Sequence, residues 1–94
     1  MEIELSSGRL AKASLSLSEA GRSFGVPIGR EYIQRLAVLR ATGRFSDLYG
    51  HRALRLRPLK GDRAGQHAMA LTGNYRLLVE KVKEGRVRIM DVED

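Results

Sequence analysis

The chain has 94 residues and a formal net charge of +6, from 17 lysines and arginines against 11 acids, with no cysteine. That length allows one domain, which buries roughly 60–70% of its extended surface in a two-layer core, and residues 1–94 are taken as that single domain. Without cysteine there is neither a disulfide framework nor a thiolate metal site, as suits a reducing compartment. No apolar run approaches the ~20 residues of a membrane span, and the opening MEIELSS is acidic where a secretory signal would be basic. The expectation is a soluble, cytoplasmic protein whose basic surface meets nucleic acid or an acidic protein.

In chain order, Glu2-Ile3-Glu4-Leu5 alternates as a short strand with Ile3 and Leu5 inward. Ser6 or Ser7 can cap a brief helix to Ala13, because a hydroxyl accepts from the free N–H groups of a first turn. Ala13 to Ser18 alternates with period two amid helical surroundings and is taken as a break, with Ser18 capping a second helix through Phe24. Gly25 ends that helix, and Pro27 starts the next where its missing N–H costs nothing. Ile28, Tyr32, Ile33, Leu36 and Leu39 recur at helical spacing up to Thr42, and Gly43 is the stop. Tyr32 and Phe24 are assigned to core packing rather than to base stacking.

Phe45 to Arg52 is a loop or short turn anchored by Phe45 and Leu48. A strand follows with Leu54 and Leu56 on one side and Arg55 and Arg57 on the other, until Pro58 ends ladder pairing. Gln66 to Leu71 is a strand with His67, Met69 and Leu71 on one face and Ala68 and Ala70 opposite. After the Thr72-Gly73-Asn74 turn come strands Tyr75–Val82 and Arg86–Val92, joined by a tight Glu84-Gly85 hairpin. The fold class is α+β, with an N-terminal strand and helices packed on one face of an antiparallel β-meander. The opposite face is left to hold a ligand, and the phase of Arg57 and Arg76 against Leu56 and Tyr75 places both arginines there.

Chemistry is concentrated between Leu54 and Arg76. Five basic groups fall in the twelve residues from Arg52 to Arg63, against the single acid Asp62. In the Lys60-Gly61-Asp62-Arg63-Ala64-Gly65 turn, glycines let a ligand approach the backbone, and Lys60 and Arg63 can donate charge-assisted hydrogen bonds to phosphate. Asp62 and the glycines are taken to build the strand connection, whereas Arg55, Arg57, Lys60 and Arg63 are taken to hold polyphosphate, most simply RNA. The two histidines, His51 and His67, lack the spacing of a metal site. His67 shares a strand face with Met69 and Leu71, as a core-edge histidine would, and His51 lies in an exposed loop. No Walker-type loop is present, since no Gly-Lys-Ser/Thr follows the glycines.

Arg57-Pro58-Leu59-Lys60-Gly61-Asp62-Arg63-Ala64-Gly65-Gln66, followed by Thr72-Gly73-Asn74-Tyr75-Arg76-Leu77, resembles the killer proteins of plasmid-maintenance toxin–antitoxin pairs. These form the HigB branch of the RelE/ParE superfamily, and Ser7 to Ala13 is similar to the start of some members. The resemblance implies a RelE-like sheet flanked by N-terminal helices and a metal-independent mRNA endoribonuclease, needing no cofactor, that acts on the translating ribosome. It implies a cognate helix-turn-helix antitoxin of the HigA type, with DNA met only indirectly through the antitoxin complex. The sibling ParE branch poisons DNA gyrase instead, and a non-catalytic partner of an antitoxin is a third possibility, so fold alone does not choose among them.

Residue by residue, Arg76 matches the arginine that related nucleases aim at the scissile phosphate, and Lys60 and Arg63 match the basic turn. Arg57 stands where several relatives have a histidine before the proline, and His67 stands where many have tryptophan. Relatives commonly end in Asp-Tyr-His, whereas this sequence reaches Val92-Glu93-Asp94, so either a longer natural chain carries the Tyr-His pair or this member lacks it. Arg76, Lys60 and Arg57 are therefore expected to stabilise phosphate charge, while arginine transfers protons poorly. Asp94 is the one candidate base, and the expectation is binding of RNA or ribosome with weak or no cleavage.

Overall fold

The computed structural model describes all residues from Met1 to Asp94. Its strands are β1 (Glu2–Leu5), β2 (Arg57–Pro58), β3 (Gln66–Ala70), β4 (Arg76–Lys83) and β5 (Arg86–Glu93). The helices are α1 (Gly8–Ala13), α2 (Leu17–Phe24) and α3 (Val26–Ala41), with 3₁₀ turns at Phe45–Gly50, Arg52–Leu54 and Gly61–Arg63. The fold is α+β, as expected, and the sheet has five strands in the order β1-β5-β4-β3-β2. One part of the expectation is corrected. β1 does not pack on a face of the meander but joins it at the edge, parallel to β5 through the pairs Ile3–Val87 and Leu5–Ile89. A parallel pairing needs a crossover, and here the whole chain from Ser6 to Gly85, with the three helices and strands β2 to β4, runs between the two partners.

The helical caps follow local chemistry. Ser7 accepts from the Leu10 amide at 3.2 Å, as a capping serine should. The cap of α2 is Ser16 rather than Ser18: its hydroxyl accepts from the Glu19 amide at 3.1 Å. Ser16 and Glu19 have the spacing of a capping box, which the alternation of Ala13–Ser18 masks. Gly25 separates α2 from α3 at φ 84°, and Pro27 lies in the first turn of α3. Gly29 lets these two helices touch backbone to backbone, because a Cβ there would come within 2.6 Å of the Ala20 carbonyl carbon.

Tyr32, Leu36 and Leu39 line the buried stripe of α3 and join Met69, Leu77, Val79, Val87 and Ile89 of the sheet in one core. The Tyr32 hydroxyl donates to the Leu10 carbonyl at 2.8 Å, and burial pushes its pKa up to about 12. Phe24 meets the Tyr32 ring edge to face at 5.1 Å, so both aromatics belong to the core. Phe45 and Leu48 anchor the following turn, as expected.

The Leu54–Arg57 strand is the second correction. Leu54 ends a 3₁₀ turn, Arg55 is left-handed at φ 48° and ψ 44°, and pairing begins only at Arg57. Pro58 does not end the ladder. It pairs with His67, and the Leu59 amide then donates to the Gln66 carbonyl at 2.9 Å. A proline is tolerated because β2 is an edge strand. The sidedness survives: Leu54 is buried and Leu56 half-buried, while Arg55 and Arg57 are exposed. The ends of β3, β4 and β5 differ from the sequence expectation by one residue, which is ordinary fraying.

A bulge in β5 has the larger consequence. Val79 pairs with Ile89 and Leu78 with Asp91, which leaves Met90 unpaired. Ile89 and Val92 are three residues apart and would face opposite ways in a regular strand. The extra residue puts both into the core and carries Glu93 to the register position opposite Arg76.

Candidate nucleic-acid interface

The helices cover one face of the sheet, and the other carries the basic side chains. Along β3 the residues out of phase with core residue Met69 are Ala68 and Ala70. Arg57 pairs across with Ala68, and Arg76 pairs across with Ala70. Small side chains between long ones leave a hollow. It has a volume of about 270 Å³, with Arg55 and Arg57 on one side, Asn74, Tyr75 and Arg76 on the other, and Ala68 and Ala70 in its floor.

Each wall has a local cause. The Thr72–Tyr75 turn closes through the Tyr75 amide and the Thr72 carbonyl at 3.2 Å, with Gly73 at φ 63°. Tyr75 is left 37% exposed at the rim. Arg55 is the one non-glycine residue at positive φ, a conformation that costs on the order of 1–3 kcal/mol and that turns its side chain into the lining. From beneath, the mostly buried Arg35 of α3 donates through Nε to the Ala70 carbonyl at 3.0 Å and pairs with Glu31 at 3.2 Å. That clamp fixes the end of β3 where Ala70 and Arg76 are paired.

The anticipated residues fall into three groups. Arg55, Arg57 and Arg76 meet in the hollow. Arg63 lies in the 3₁₀ turn Gly61–Arg63 and is tied to Arg76 through a shared carboxylate. Lys60 precedes that turn, exposed and outside the hollow, and like Arg55 and Arg57 it makes no ion pair. Asp94 is exposed beyond the end of β5 and is not among the residues that line the hollow.

The carboxylate among the arginines belongs to Glu93. Arg63 grips it with both guanidinium nitrogens, Nη1 to Oε1 at 2.6 Å and Nη2 to Oε2 at 3.3 Å, while Arg76 Nη2 reaches Oε1 at 3.0 Å. Those bonds, Arg63's first, hold the Glu93 carboxyl below its ordinary range against the opposing effect of burial, and the same bond raises Arg63. Glu93, Asn74 and Tyr75 are the components that reading the sequence for basic spacing passes over. Tyr75 had a signal, as the aromatic before Arg76. Glu93 had none, because period-two counting from Val87 and Ile89 puts it on the core side.

The histidines stand elsewhere. His67 is on the core face of β3, its ring 4.8 Å from Phe45 and 6.4 Å from Tyr49, with Nδ1 buried and unbonded. Burial first, and Lys81 second, lower its pKa, so it is a neutral core-edge histidine. His51 lies by the C-terminal end of α3, in a groove with Thr42 and Asp47. The hollow therefore offers guanidinium groups, an amide and a phenol, a set that binds anions by forked hydrogen bonds and stacks planar groups on Tyr75. No protein-family model matches the chain, and no curated protein matches it.

Proposed function

We propose that this chain is the toxin of a type II toxin–antitoxin pair, a RelE-like protein of the HigB kind that holds mRNA on the ribosome through the open face of its sheet. The observation that carries this reading is the convergence of Arg55, Arg57 and Arg76 on one hollow beside an exposed tyrosine. The sequence resemblance over residues 57–66 and 72–77 supports it, and so does an α+β fold whose helices leave that face uncovered. Arg76 and Arg57 take the phosphate, with Lys60 and Arg63 on the approach. A HigA-like antitoxin is the cognate partner. The test is translation of a defined mRNA by purified ribosomes, with cleavage mapped by primer extension. Ribosome-dependent cuts that Arg76→Ala abolishes are the expected result, and translation unaffected by the wild-type protein refutes the toxin reading.

A second reading, binding without cleavage, is favoured by one observation. Both histidines stand away from the hollow, and Arg76 is engaged by Glu93. That leaves proton transfer to the Tyr75 phenol and to a Glu93 carboxylate already bonded to two arginines, and an ineffective proton-transfer partner forfeits about 10²–10⁴ in rate. Ribosome association and arrested translation with intact mRNA would select this reading over the nuclease.

A further inference from the structure

The hollow holds the free Arg55 and Arg57 on one side and, on the other, Arg76, whose guanidinium is engaged by Glu93 together with the neighbouring Arg63. Glu93 is bound as a phosphate would be: forked by Arg63 at 2.6 and 3.3 Å and touched by Arg76 at 3.0 Å. Carboxylate and phosphate present the same paired oxygens to a guanidinium fork. We propose that Glu93 is the specificity-determining residue of this site, an internal occupant of the phosphate position that a chain of linked phosphates displaces and a single phosphate does not. This inference rests on the polyphosphate-binding reading of the hollow and adds to it which anions the site accepts.

The argument is one of competition. A carboxylate fixed in the same chain acts at an effective concentration of about millimolar or above, so a lone phosphate must beat a competitor that never diffuses away. A polyphosphate chain has further contacts to gain, because Arg55, Arg57 and Lys60 carry no ion pair. Those contacts offset the Glu93 bonds that the ligand breaks. Exposure permits the exchange: the side chains of Arg63, Arg76 and Glu93 are 46%, 29% and 24% accessible. The bulge at Met90 brings Glu93 into place, so the occupant is built into the strand.

Glu93→Gln keeps the shape and removes the charge. Binding of a labelled 12-nucleotide oligouridylate is followed by fluorescence anisotropy, with inorganic phosphate and tripolyphosphate as competitors. The variant is expected to bind the oligomer about fivefold tighter than wild type. Its log–log salt slope should be steeper by roughly 1, because two arginines then shed counterions instead of a carboxylate. Inorganic phosphate should compete with the variant at concentrations that leave wild type unaffected. Equal or weaker oligomer binding by the variant overturns the proposal and makes Glu93 an orienting group for the arginines. A measurement on wild type decides if the variant does not fold: carboxyl-carbon NMR titration should show the Glu93 midpoint rising when oligomer saturates the site, and an unmoved midpoint overturns displacement. If neither form binds oligomer or tripolyphosphate, the polyphosphate reading of the hollow falls and this inference with it; oligomer binding indifferent to Glu93 removes only the latter.

Discussion

The open face of the sheet has two halves that use arginine in opposite ways. Toward β1, each arginine faces carboxylates across the strands: Arg88 reaches Glu80 at 2.7 Å and Glu4 at 3.2 Å, and Arg86 reaches Glu2 at 2.9 Å and Glu4 at 3.7 Å. Toward β2, Arg57 faces Ala68 and meets no carboxylate, while Arg76 lies between Ala70 and Glu93 and shares that one carboxylate with Arg63. An arginine flanked by glutamates staples strands together. An arginine opposite alanine with no carboxylate beside it, as Arg57 is, leaves its fork for a ligand. Net charge cannot tell the two apart; cross-strand register can.

The largest expected effect comes from reversing charge on each half. Arg55→Glu with Arg57→Glu should lower affinity for single-stranded RNA on the order of 100-fold, since each charge-assisted contact is worth roughly tenfold. The melting temperature should hardly move. Arg86→Glu with Arg88→Glu should instead lower the melting temperature by setting like charges opposite Glu2, Glu4 and Glu80, with RNA affinity within a few-fold of wild type. Anisotropy titrations and thermal melts of the two double variants check both statements, and equal losses of affinity would erase the distinction between the halves.

A smaller effect tests the stapled half alone. Arg88→Met keeps the aliphatic stem and deletes the bridge between β1 and β4. These side chains are a third or more exposed, so the expected loss is only about 0.5–1 kcal/mol. Urea denaturation measures it, and a loss above about 2 kcal/mol would show the bridge to be more than a surface staple.

Much of the fold was legible because it depends on local signals. The stripe of α3, the Glu84-Gly85 hairpin and the Thr72–Asn74 turn each need only a few neighbouring residues. The placement of Arg57 and Arg76 on one face was legible too, from phase alone. What escaped depends on partners far along the chain. The parallel seat of β1 against β5 is set by a crossover. The bulge at Met90 is visible only once Val79 and Leu78 fix the register, with the Ser6 hydroxyl donating to the Met90 carbonyl at 3.1 Å. Because the bulge escaped, Glu93 escaped, and the nearest acid suggested by the sequence was Asp94. The left-handed Arg55 was hidden for a different reason, since arginine has no preference for that region and the Leu-Arg-Leu-Arg alternation argued for a strand.

Arg55 turns that last point into a stability prediction. Glycine adopts φ 48° without Cβ strain, although it gains backbone freedom in the unfolded chain. Arg55→Gly should therefore stabilise the protein by roughly 0.5–1 kcal/mol while weakening RNA binding about tenfold. Stability gained with affinity lost is the signature of strain kept for a ligand. Glycine that destabilises would mean that the Arg55 side chain holds the fold, and the β2 half of the face would then resemble the stapled half.

The smallest effect separates the carboxylates by the job each does. The Glu84 side chain accepts from Lys81 and from the Ser46 amide, the latter at 3.0 Å, and so ties the β4–β5 hairpin to the turn at Phe45–Gly50. These bonds, Lys81's first, pull its pKa down to about 2 from an ordinary value of 4.5. With the folded value depressed, the proton binds the unfolded chain more readily, so the contribution is present above about pH 4.5 and is lost as pH falls toward 2. Glu84→Gln should make stability less dependent on pH across that window, as read from urea midpoints, and leave RNA affinity at pH 7 unchanged. Glu93 is also held below its ordinary range, so its replacement should likewise reduce the loss of stability on acidification below about pH 4.5 and also change RNA affinity. A Glu84 variant that altered RNA binding would extend the ligand surface around the edge of the sheet to the hairpin, and the division between a stapled half and an open half would no longer hold.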